Sequence, residues 1–318
     1  MKLQRFALAL AAIGLLGASV SSVPAFAGKT DPKPHLSDKV AHPTPAKALF
    51  AGGPCINYVG VPTAAGTMQE IDATPAAHPT AVSYEPFNYV ATRANATWYG
   101  AVNAAGTQFY YYGLMLQGAN LYRHTTYLPA DETKPPVPTF KKVGSGWTSF
   151  KSIATSNYSV AQPRHAYLYG LNTNNSLYRY QIVGAGFKAL GPIPGFRGFK
   201  TMTVVSESAT YDTLLMTTTA GALWTAHIPI AAGAKPVMKL IRSSGFADYE
   251  SLVAQGCGTR RGTLVVGVDN GTQSGYQYAF SKFNGTATAM TAYGKIPAVF
   301  NGVDHVSITT HYEQLVGE

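Results

Sequence analysis

Aromatic, amide and basic side chains lie close together between Gly146 and Tyr180. A flat aromatic face packs against the C–H groups of a sugar ring, and amide, hydroxyl and guanidinium groups bind its polar substituents. Two later segments carry some of the same residue types. The candidate ligand-binding residues are Trp147, Phe150, Lys151, Asn172, Asn174, Tyr178 and Arg179 in the first segment, Phe196, Phe199 and Lys200 in the second, and Phe246, Asp269 and Asn270 in the third.

These residues also have structural explanations. An aromatic residue that recurs once per repeat is typical of packing between repeats, and Asn and Asp stabilise turns by bonding their own backbone. The structural roles that stay open are packing between repeats for Trp147, Phe196 and Phe246, turn formation for Asn172, Asn174 and Asp269, and a solvated strand face for Arg123 and Arg179.

Carboxyl groups decide whether the chain could instead hydrolyse a glycosidic bond. That reaction needs two carboxyl groups that converge on the scissile bond. The chain has 15 Asp and Glu residues, and they do not fall at one repeated position. Asp304, Glu207 and Glu250 lie on or near the first strand of three repeats and are the first to test. A glycoside hydrolase therefore remains an alternative to binding without catalysis.

Other kinds of chemistry have little support in the sequence. The eight His residues form no H-E-x-x-H motif and no paired spacing with Cys, so we expect neither a metal site nor a cofactor. The net charge of +9 is not concentrated in a Lys/Arg cluster, which argues against nucleic-acid binding.

The N-terminal segment has the pattern of an export signal. Lys2 and Arg5 precede an apolar run, and Ala25-Phe26-Ala27 gives the small-x-small pattern of a cleavage site. We expect residues 1–27 to be removed and 28–47, rich in Pro and charge, to be a disordered leader. The folded domain then spans 48–318 in a secreted protein that does not span the membrane. Its two cysteines, Cys55 and Cys257, are predicted to pair in an oxidising compartment, with two buried free thiols as the alternative.

A repeat of about 50 residues organises the folded part of the chain. The motif is Gly, an aromatic residue, two other residues and a second aromatic, followed by an alternating strand. It occurs at Gly146–Phe150, Gly195–Phe199 and Gly245–Tyr249, with weaker copies at Phe87–Val90 and Phe300–Val303. Each copy belongs to a unit with a hairpin signal, two alternating runs around a polar turn. The sequence therefore predicts five small antiparallel sheets.

Radial packing of such sheets buries the faces that one sheet alone leaves exposed. The N-terminal hairpin around Ile56 to Ile71 lacks a first strand, and a strand around His305 to Tyr312 is left over at the other end. We therefore predict an all-β, five-bladed β-propeller that is closed by pairing of the C-terminal strand with the N-terminal hairpin. An irregular β-sandwich is the alternative fold.

One repeat resembles a known family. The order Gly-Trp-x-x-Phe-Lys-x-Ile, Leu-Tyr-Gly-Leu and Leu-Tyr-Arg-Tyr between Gly146 and Tyr180 is similar to the repeat of the tachylectin-type β-propeller lectins. The architecture matches from about residue 48 onwards. The resemblance implies five blades and binding of N-acetylated sugars such as N-acetylglucosamine, with one site per blade. We expect a monomer that binds glycans, with a protein-interaction platform as a further alternative.

Overall fold

The computed structural model describes residues 55–103, 108–131, 133–257, 262–309 and 315–318. These residues form twenty-two β-strands. They form no helix, so the described chain contains no helix that could cross a membrane. The predicted signal segment and leader, residues 1–47, lie outside the described residues.

Three sheets consist of four consecutive antiparallel strands each. Sheet 2 contains β10 (Phe150–Tyr158), β11 (His165–Asn172), β12 (Ser176–Val183) and β13 (Gly186–Pro194). Sheet 3 contains β14 (Phe199–Glu207), β15 (Tyr211–Thr218), β16 (Leu223–Pro229) and β17 (Val237–Arg242). Sheet 4 contains β18 (Ser251–Gly256), β19 (Thr263–Asp269), β20 (Ser274–Phe280) and β21 (Met290–Lys295).

Sheet 1 has ten strands and two parts. Half 1A contains β1 (Asn57–Pro62), β2 (Thr67–Thr74), β3 (Thr80–Ser83), β4 (Phe87–Asn88) and β22 (Val306–Thr309). Half 1B contains β5 (Ala94–Asn95), β6 (Trp98–Val102), β7 (Phe109–Gln117), β8 (Asn120–Tyr127) and β9 (Val137–Ser145). The two halves join because β22 pairs in parallel with β6.

The first and last strands of the described chain pair in half 1A, whereas the last four residues, 315–318, lie elsewhere, with Val316 bridged to Ser206 of β14. Strand β22 pairs antiparallel with β1, with Ser307 opposite Val59 and Val306 opposite Gly60. The sequence predicts this pairing from the missing first strand of the N-terminal hairpin. Residues 310–312, the last part of the predicted strand, lie outside the described residues.

Burial along the strands explains their positions. All eight residues of β11 are buried, as expected for a strand covered on both faces. By contrast, the last strand of the same sheet, β13, alternates between half-buried and exposed residues. The first strands of sheets 2, 3 and 4 are β10, β14 and β18, and β22 and β5 take the corresponding places in halves 1A and 1B. Strand β5 contacts β10, β10 contacts β14, β14 contacts β18, and β18 contacts β22. The four-stranded antiparallel sheets are consistent with a β-propeller.

Five hydrophobic clusters lie between neighbouring sheets of the described chain. They join half 1B to sheet 2, sheet 2 to sheet 3, sheet 3 to sheet 4, sheet 4 to half 1A, and half 1A to half 1B. Four of them contain a repeated aromatic residue of the sequence motif: Trp147, Phe196, Phe246 and Phe300. These aromatic residues therefore pack one sheet against the next.

The second aromatic of the motif packs closely on a glycine of the neighbouring strand. A Cβ atom on Gly170 would lie 2.6 Å from the Phe150 ring, and one on Gly267 would lie 2.5 Å from the Tyr249 ring. Only glycine leaves room for these rings, which explains the glycine in the middle of the otherwise bulky strands β11 and β19.

A disulfide bond links Cys55 and Cys257, with their Cα atoms 5.3 Å apart. This confirms the predicted pairing, and the separation is within the usual range for a disulfide. Cys55 lies just before β1 and Cys257 just after β18. The bond therefore ties half 1A to sheet 4.

Candidate functional site

The aromatic residues predicted to bind ligand are mostly part of the core. Trp147 is 6 % exposed, Phe196 1 % and Phe246 4 %, and Phe150 and Phe199 are also buried. The Trp147 ring packs on the Phe150 ring with centroids 4.4 Å apart. The placement of Trp147, Phe196 and Phe246 matches the packing role that the sequence left open for them, and Phe150 and Phe199 are buried in the same clusters.

Basic residues at the start of the first strands bond to the backbone of the next sheet. Lys151 Nζ donates to the Phe199 carbonyl at 2.8 Å. Lys200 Nζ donates to the Ala247 carbonyl and lies 3.2 Å from Glu250 Oε1. These contacts join sheet 2 to sheet 3 and sheet 3 to the segment that leads into sheet 4.

Arg93, at the corresponding point of half 1B, follows the same pattern. Its guanidinium donates to the carbonyls of Trp147 and Phe150 in sheet 2. Its Nε also donates to the Gly118 carbonyl at 2.8 Å. One basic side chain therefore joins half 1B to sheet 2 in the same way that Lys151 joins sheet 2 to sheet 3.

The Asn and Asp candidates stabilise turns. Asn172 Oδ1 accepts a bond from the Asn174 backbone at 3.0 Å, and Asn174 Oδ1 accepts one from the Ser176 backbone at 3.1 Å. Asp269 accepts bonds from the backbone and hydroxyl of Thr272 at 3.1 and 2.6 Å. Their carbonyl and carboxylate oxygens are thus committed to the turn chemistry that was the alternative interpretation.

Asn270 connects its turn to two other segments. Its backbone N–H donates to Glu250 Oε2 at 3.0 Å, and its Nδ2 lies 3.5 Å from the Val303 carbonyl. The side chain therefore bridges sheet 4 to the segment that leads into β22.

Arg179 and Arg123 are buried and do not lie on a solvated strand face. Arg179 donates to the Pro229 carbonyl at 2.7 Å, and Arg123 donates to the Ala185 carbonyl at 3.1 Å. Gln277, at the corresponding position of β20, donates to the Ala73 carbonyl at 3.0 Å. Strands β8, β12 and β20 of half 1B, sheet 2 and sheet 4 therefore each carry a side chain that bonds to the next sheet.

Tyr178 and Asn174 are the candidates that the structure brings together on the surface. Asn174 is exposed, Tyr178 is half-buried, and the Asn174 Nδ2 donates to the Tyr178 hydroxyl at 2.9 Å. The Tyr178 ring meets the edge of Phe150 at a centroid distance of 5.4 Å. We call the surface formed by Asn174, Tyr178 and the underlying Phe150 and Trp147 the Tyr178 groove. It lies on the side of sheet 2 that faces half 1B.

Three further sheet positions correspond to Tyr178. Tyr122, Trp224 and Tyr276 are half-buried, and each occupies the second or third position of β8, β16 or β20. None of the three is among the residues predicted to bind ligand. Their signal was nevertheless present as Leu-Tyr-Arg in β8 and β12, Leu-Trp-Thr in β16 and Gly-Tyr-Gln in β20.

Asp304 is half-buried near the meeting point of the first strands. Its carboxylate accepts bonds from the backbone and the Nδ2 of Asn95, the latter at 3.1 Å, and from Ser251 Oγ at 3.3 Å. Burial raises the pKa of this carboxyl to about 6, although these hydrogen bonds act in the opposite direction. Burial lowers the pKa of the adjacent His305 to about 3, so that imidazole is neutral at physiological pH.

Asp304 and Asn95 line a small cavity between the first strands. Its volume is about 20 Å³, and residues from β5, β10, β14, β18 and β22 contribute to its wall. A single water molecule needs about 10–15 Å³ on this measure. The cavity therefore has room for one small guest and not for a sugar ring. We call it the axial cavity.

Glu207 and Asp212 belong to a second buried polar cluster, between sheets 2 and 3. Asp212 accepts bonds from Ser156 Oγ at 2.6 Å and Tyr169 Oη at 2.7 Å, and its other oxygen lies 2.8 Å from His165 Nε2. Because Asp212 and Glu207 are 0 % and 3 % exposed, a substrate cannot reach either carboxyl group in this structure.

Glu207 leads to a pH-dependent prediction. Burial, with Asp212 nearby, raises the Glu207 pKa from 4.5 to about 8. Between these pH values the unfolded chain has lost a proton that the folded protein retains, so the free energy of unfolding falls as pH rises. The Glu207→Gln variant lacks this titrating group. Its free energy of unfolding, measured relative to that of wild type by urea unfolding, should rise by on the order of 3 kcal/mol from pH 4.5 to pH 8.

The comparison with wild type isolates Glu207 from Glu70, whose pKa is also raised to about 8 by burial and by Asp72. Glu250→Gln is the control, because the Glu250 side chain is 46 % exposed beside Lys200. Parallel stability curves for Glu207→Gln and wild type across this window would show that Glu207 keeps no extra proton in the folded protein.

Metal-binding clusters provide no further candidate. Among the residues that the structure describes, no group of three or more His, Cys, Asp or Glu side chains is arranged to hold a metal ion.

No protein-family model matches the sequence, and no curated protein matches it. Solved structures similar to this chain include a mutant of the Aleuria aurantia lectin in complex with Fucα1-6GlcNAc. The identity is 10 %, the match covers 81 % of each chain, and the TM-score is 0.40.

Two α-L-arabinofuranosidases are also similar. For the GH62 catalytic domain from Coprinopsis cinerea the identity is 13 % and the TM-score 0.38. For the enzyme from Podospora anserina, in complex with cellotriose, the identity is 14 % and the TM-score 0.38. Each match covers 59 % of this chain and 64 % of the other. Similarity at this level does not distinguish a lectin from a hydrolase, so the function must be argued from the residues of this chain.

Proposed function

We propose that this chain is a secreted, five-bladed β-propeller that binds N-acetylated glycans without catalysis. The observation that carries the proposal is the Tyr178 groove, where the amide of the exposed Asn174 donates to the hydroxyl of the half-buried Tyr178 at 2.9 Å.

The five-blade arrangement is supported by how sheet 1 divides. Half 1A and half 1B each have a hydrophobic cluster on both sides, as sheets 2, 3 and 4 do. In this proposal the β22–β6 pairing joins two neighbouring blades, and the β22–β1 pairing closes the ring. The disulfide bond between half 1A and sheet 4 supports secretion, because disulfides form in oxidising compartments outside the cytosol.

The chemistry of the groove fits a sugar with an acetamide group. The exposed part of the Tyr178 ring can pack against sugar C–H groups, and its hydroxyl can bond to the ligand. Asn174 holds the hydroxyl in place and presents an amide to the solvent. Burial of Phe150 and Trp147 beneath the groove makes its floor rigid, which lowers the entropy lost on binding.

Carboxyl geometry favours binding over hydrolysis. Glu207 and Asp212 are enclosed, and Glu250 is paired with Lys200. Asp304 lines a cavity that is too small for a sugar ring. A retaining or inverting glycosidase needs two carboxyl groups about 5–10 Å apart on either side of the substrate. The candidates from the sequence do not provide such a pair at an open surface.

Tyr122, Trp224 and Tyr276 give the proposal additional sites. Their half-buried rings occupy positions that correspond to Tyr178 in three other sheets. Several weak sites on one molecule increase avidity for a multivalent glycan surface without any new contact. We therefore propose that these residues take part in further grooves of the same kind.

Binding should be tested by titration calorimetry with N-acetylglucosamine. Tyr178→Ala should remove the Tyr178 site and reduce the number of sites per chain by one, or raise the Kd at least about tenfold if this site dominates. Tyr293→Ala is the matched control, because Tyr293 is a half-buried tyrosine on the outermost strand of sheet 4. Thermal unfolding of each variant confirms that it is folded.

A glycan array distinguishes the remaining functions. The proposal requires binding to immobilised glycans that free N-acetylglucosamine competes away. Release of sugar from arabinosyl or other glycosidic substrates would identify a hydrolase. Absence of any glycan binding by the folded wild-type chain, or unchanged stoichiometry and Kd in Tyr178→Ala, contradicts the proposed site.

A further inference from the structure

The axial cavity contains polar groups that the proposed glycan site does not use. The walls include the carboxylate of Asp304, the amide of Asn95 and the hydroxyls of Ser152, Thr201 and Ser251. Asn95, Thr201 and Ser251 are buried, and Asp304 and Ser152 are half-buried. A hydrophobic protein interior does not tolerate such a set unless its polar atoms are satisfied.

One of these atoms lacks a partner. Asn95 is 7 % exposed, and its Oδ1 accepts no hydrogen bond from any residue that the structure describes. The Nδ2 of the same amide donates to Asp304 and to Thr92, which fixes the orientation of the group. An amide oxygen in the cavity wall is thus available to a guest.

The carboxylate of Asp304 also lacks a countercharge. Its described partners are the backbone and amide of Asn95, the hydroxyl of Ser251 and the backbone of His305. No described Lys, Arg or His side chain forms an ion pair with it. A partly buried carboxylate that has only neutral partners carries a desolvation cost, and a cation in the same cavity would offset that cost.

We infer that the axial cavity binds a single hard cation of the size shared by Ca²⁺ and Na⁺. Apart from the His305 imidazole, whose Nε2 also has no described partner, the donors in the lining are oxygen atoms, which suit these ions. The cavity volume of about 20 Å³ admits one such ion. Asp304 and Asn95 Oδ1 would be its protein ligands, with the serine and threonine hydroxyls around it. Since the ion would contact groups from several sheets, its role would be to hold the first strands together. This inference is independent of glycan binding.

Thermal unfolding of the full chain tests the inference. The protein is first treated with a chelator and transferred to choline chloride, and then Ca²⁺ or Na⁺ is added at constant ionic strength. A concentration about 100 times the Kd should raise the Tm by about 5–10 °C. Mg²⁺ should have less effect, because it is smaller and retains its water molecules.

Two variants make the result specific. Asp304→Asn retains an oxygen acceptor for Asn95 and Ser251 but removes the charge, so the rise in Tm should be lost. Glu250→Gln changes an exposed carboxylate at the start of the neighbouring first strand, and it should retain the rise. Equal responses of Asp304→Asn and wild type, or no response of wild type to Ca²⁺ and Na⁺, would overturn the inference.

A crystal structure grown with CaCl₂ gives a second readout that does not depend on variant folding. Density in the axial cavity with oxygen distances of about 2.3–2.6 Å would support the inference. Density with only hydrogen-bond distances of about 2.7–3.0 Å would show a water molecule there and overturn it.

Discussion

Replacing both cysteines, as Cys55→Ser with Cys257→Ser, should lower the free energy of unfolding by about 5 kcal/mol. The bond spans 202 residues of sequence, so its loss greatly increases the conformational freedom of the unfolded chain. In the folded protein it ties half 1A to sheet 4. Urea unfolding of oxidised wild type and the double variant measures the difference.

The control for this experiment is wild type unfolded in the presence of reductant. It should match the double variant, because both lack the bond and differ only in two sulfur atoms. A loss below about 1 kcal/mol in both cases would show that the bond does not constrain the unfolded chain in the way proposed.

Trp147→Ala should lower the free energy of unfolding by about 3–5 kcal/mol, whether or not a sugar binds nearby. The indole ring is 6 % exposed and packs against Phe150 and Tyr180 with centroid distances of 4.4 and 5.1 Å. Its removal leaves a cavity between half 1B and sheet 2 that the rigid backbone of neighbouring strands cannot fill. Denaturant unfolding measures the loss.

Two controls accompany Trp147→Ala. Trp147→Phe keeps an aromatic ring between the sheets and should lose less stability. Val299→Ala removes an apolar side chain that is 60 % exposed, and it should stay within about 0.5 kcal/mol of wild type. If Trp147→Ala is as stable as Val299→Ala, Trp147 does not pack the two sheets together.

The sequence pattern predicted the strands well because their signal is local. Alternating runs around polar turns, such as β11 and β12 around Asn174, specify a hairpin through neighbouring residues alone. The pairing of β22 with β1 was also predictable, since one hairpin lacked a strand and one strand lacked a hairpin. The disulfide partner followed from there being only two cysteines.

Side-chain direction was much harder to predict from the sequence. Lys151 and Arg179 look like surface residues because they are basic, yet each bonds to a carbonyl of the next sheet. Such contacts depend on how sheets pack at a separation of about 50 residues, and no local pattern encodes that geometry. The contact between Asn174 and Tyr178 is by contrast local, because a turn brings residues four apart in the sequence together.

The most direct test of the central claim is a crystal structure of the chain with N-acetylglucosamine. We expect five four-stranded sheets around one axis, with β22 and β1 in the same sheet. We also expect ligand density against the Tyr178 ring, with the acetamide group within hydrogen-bonding distance of Asn174. A different number of sheets, or ligand density that is confined to other surfaces, would contradict the account.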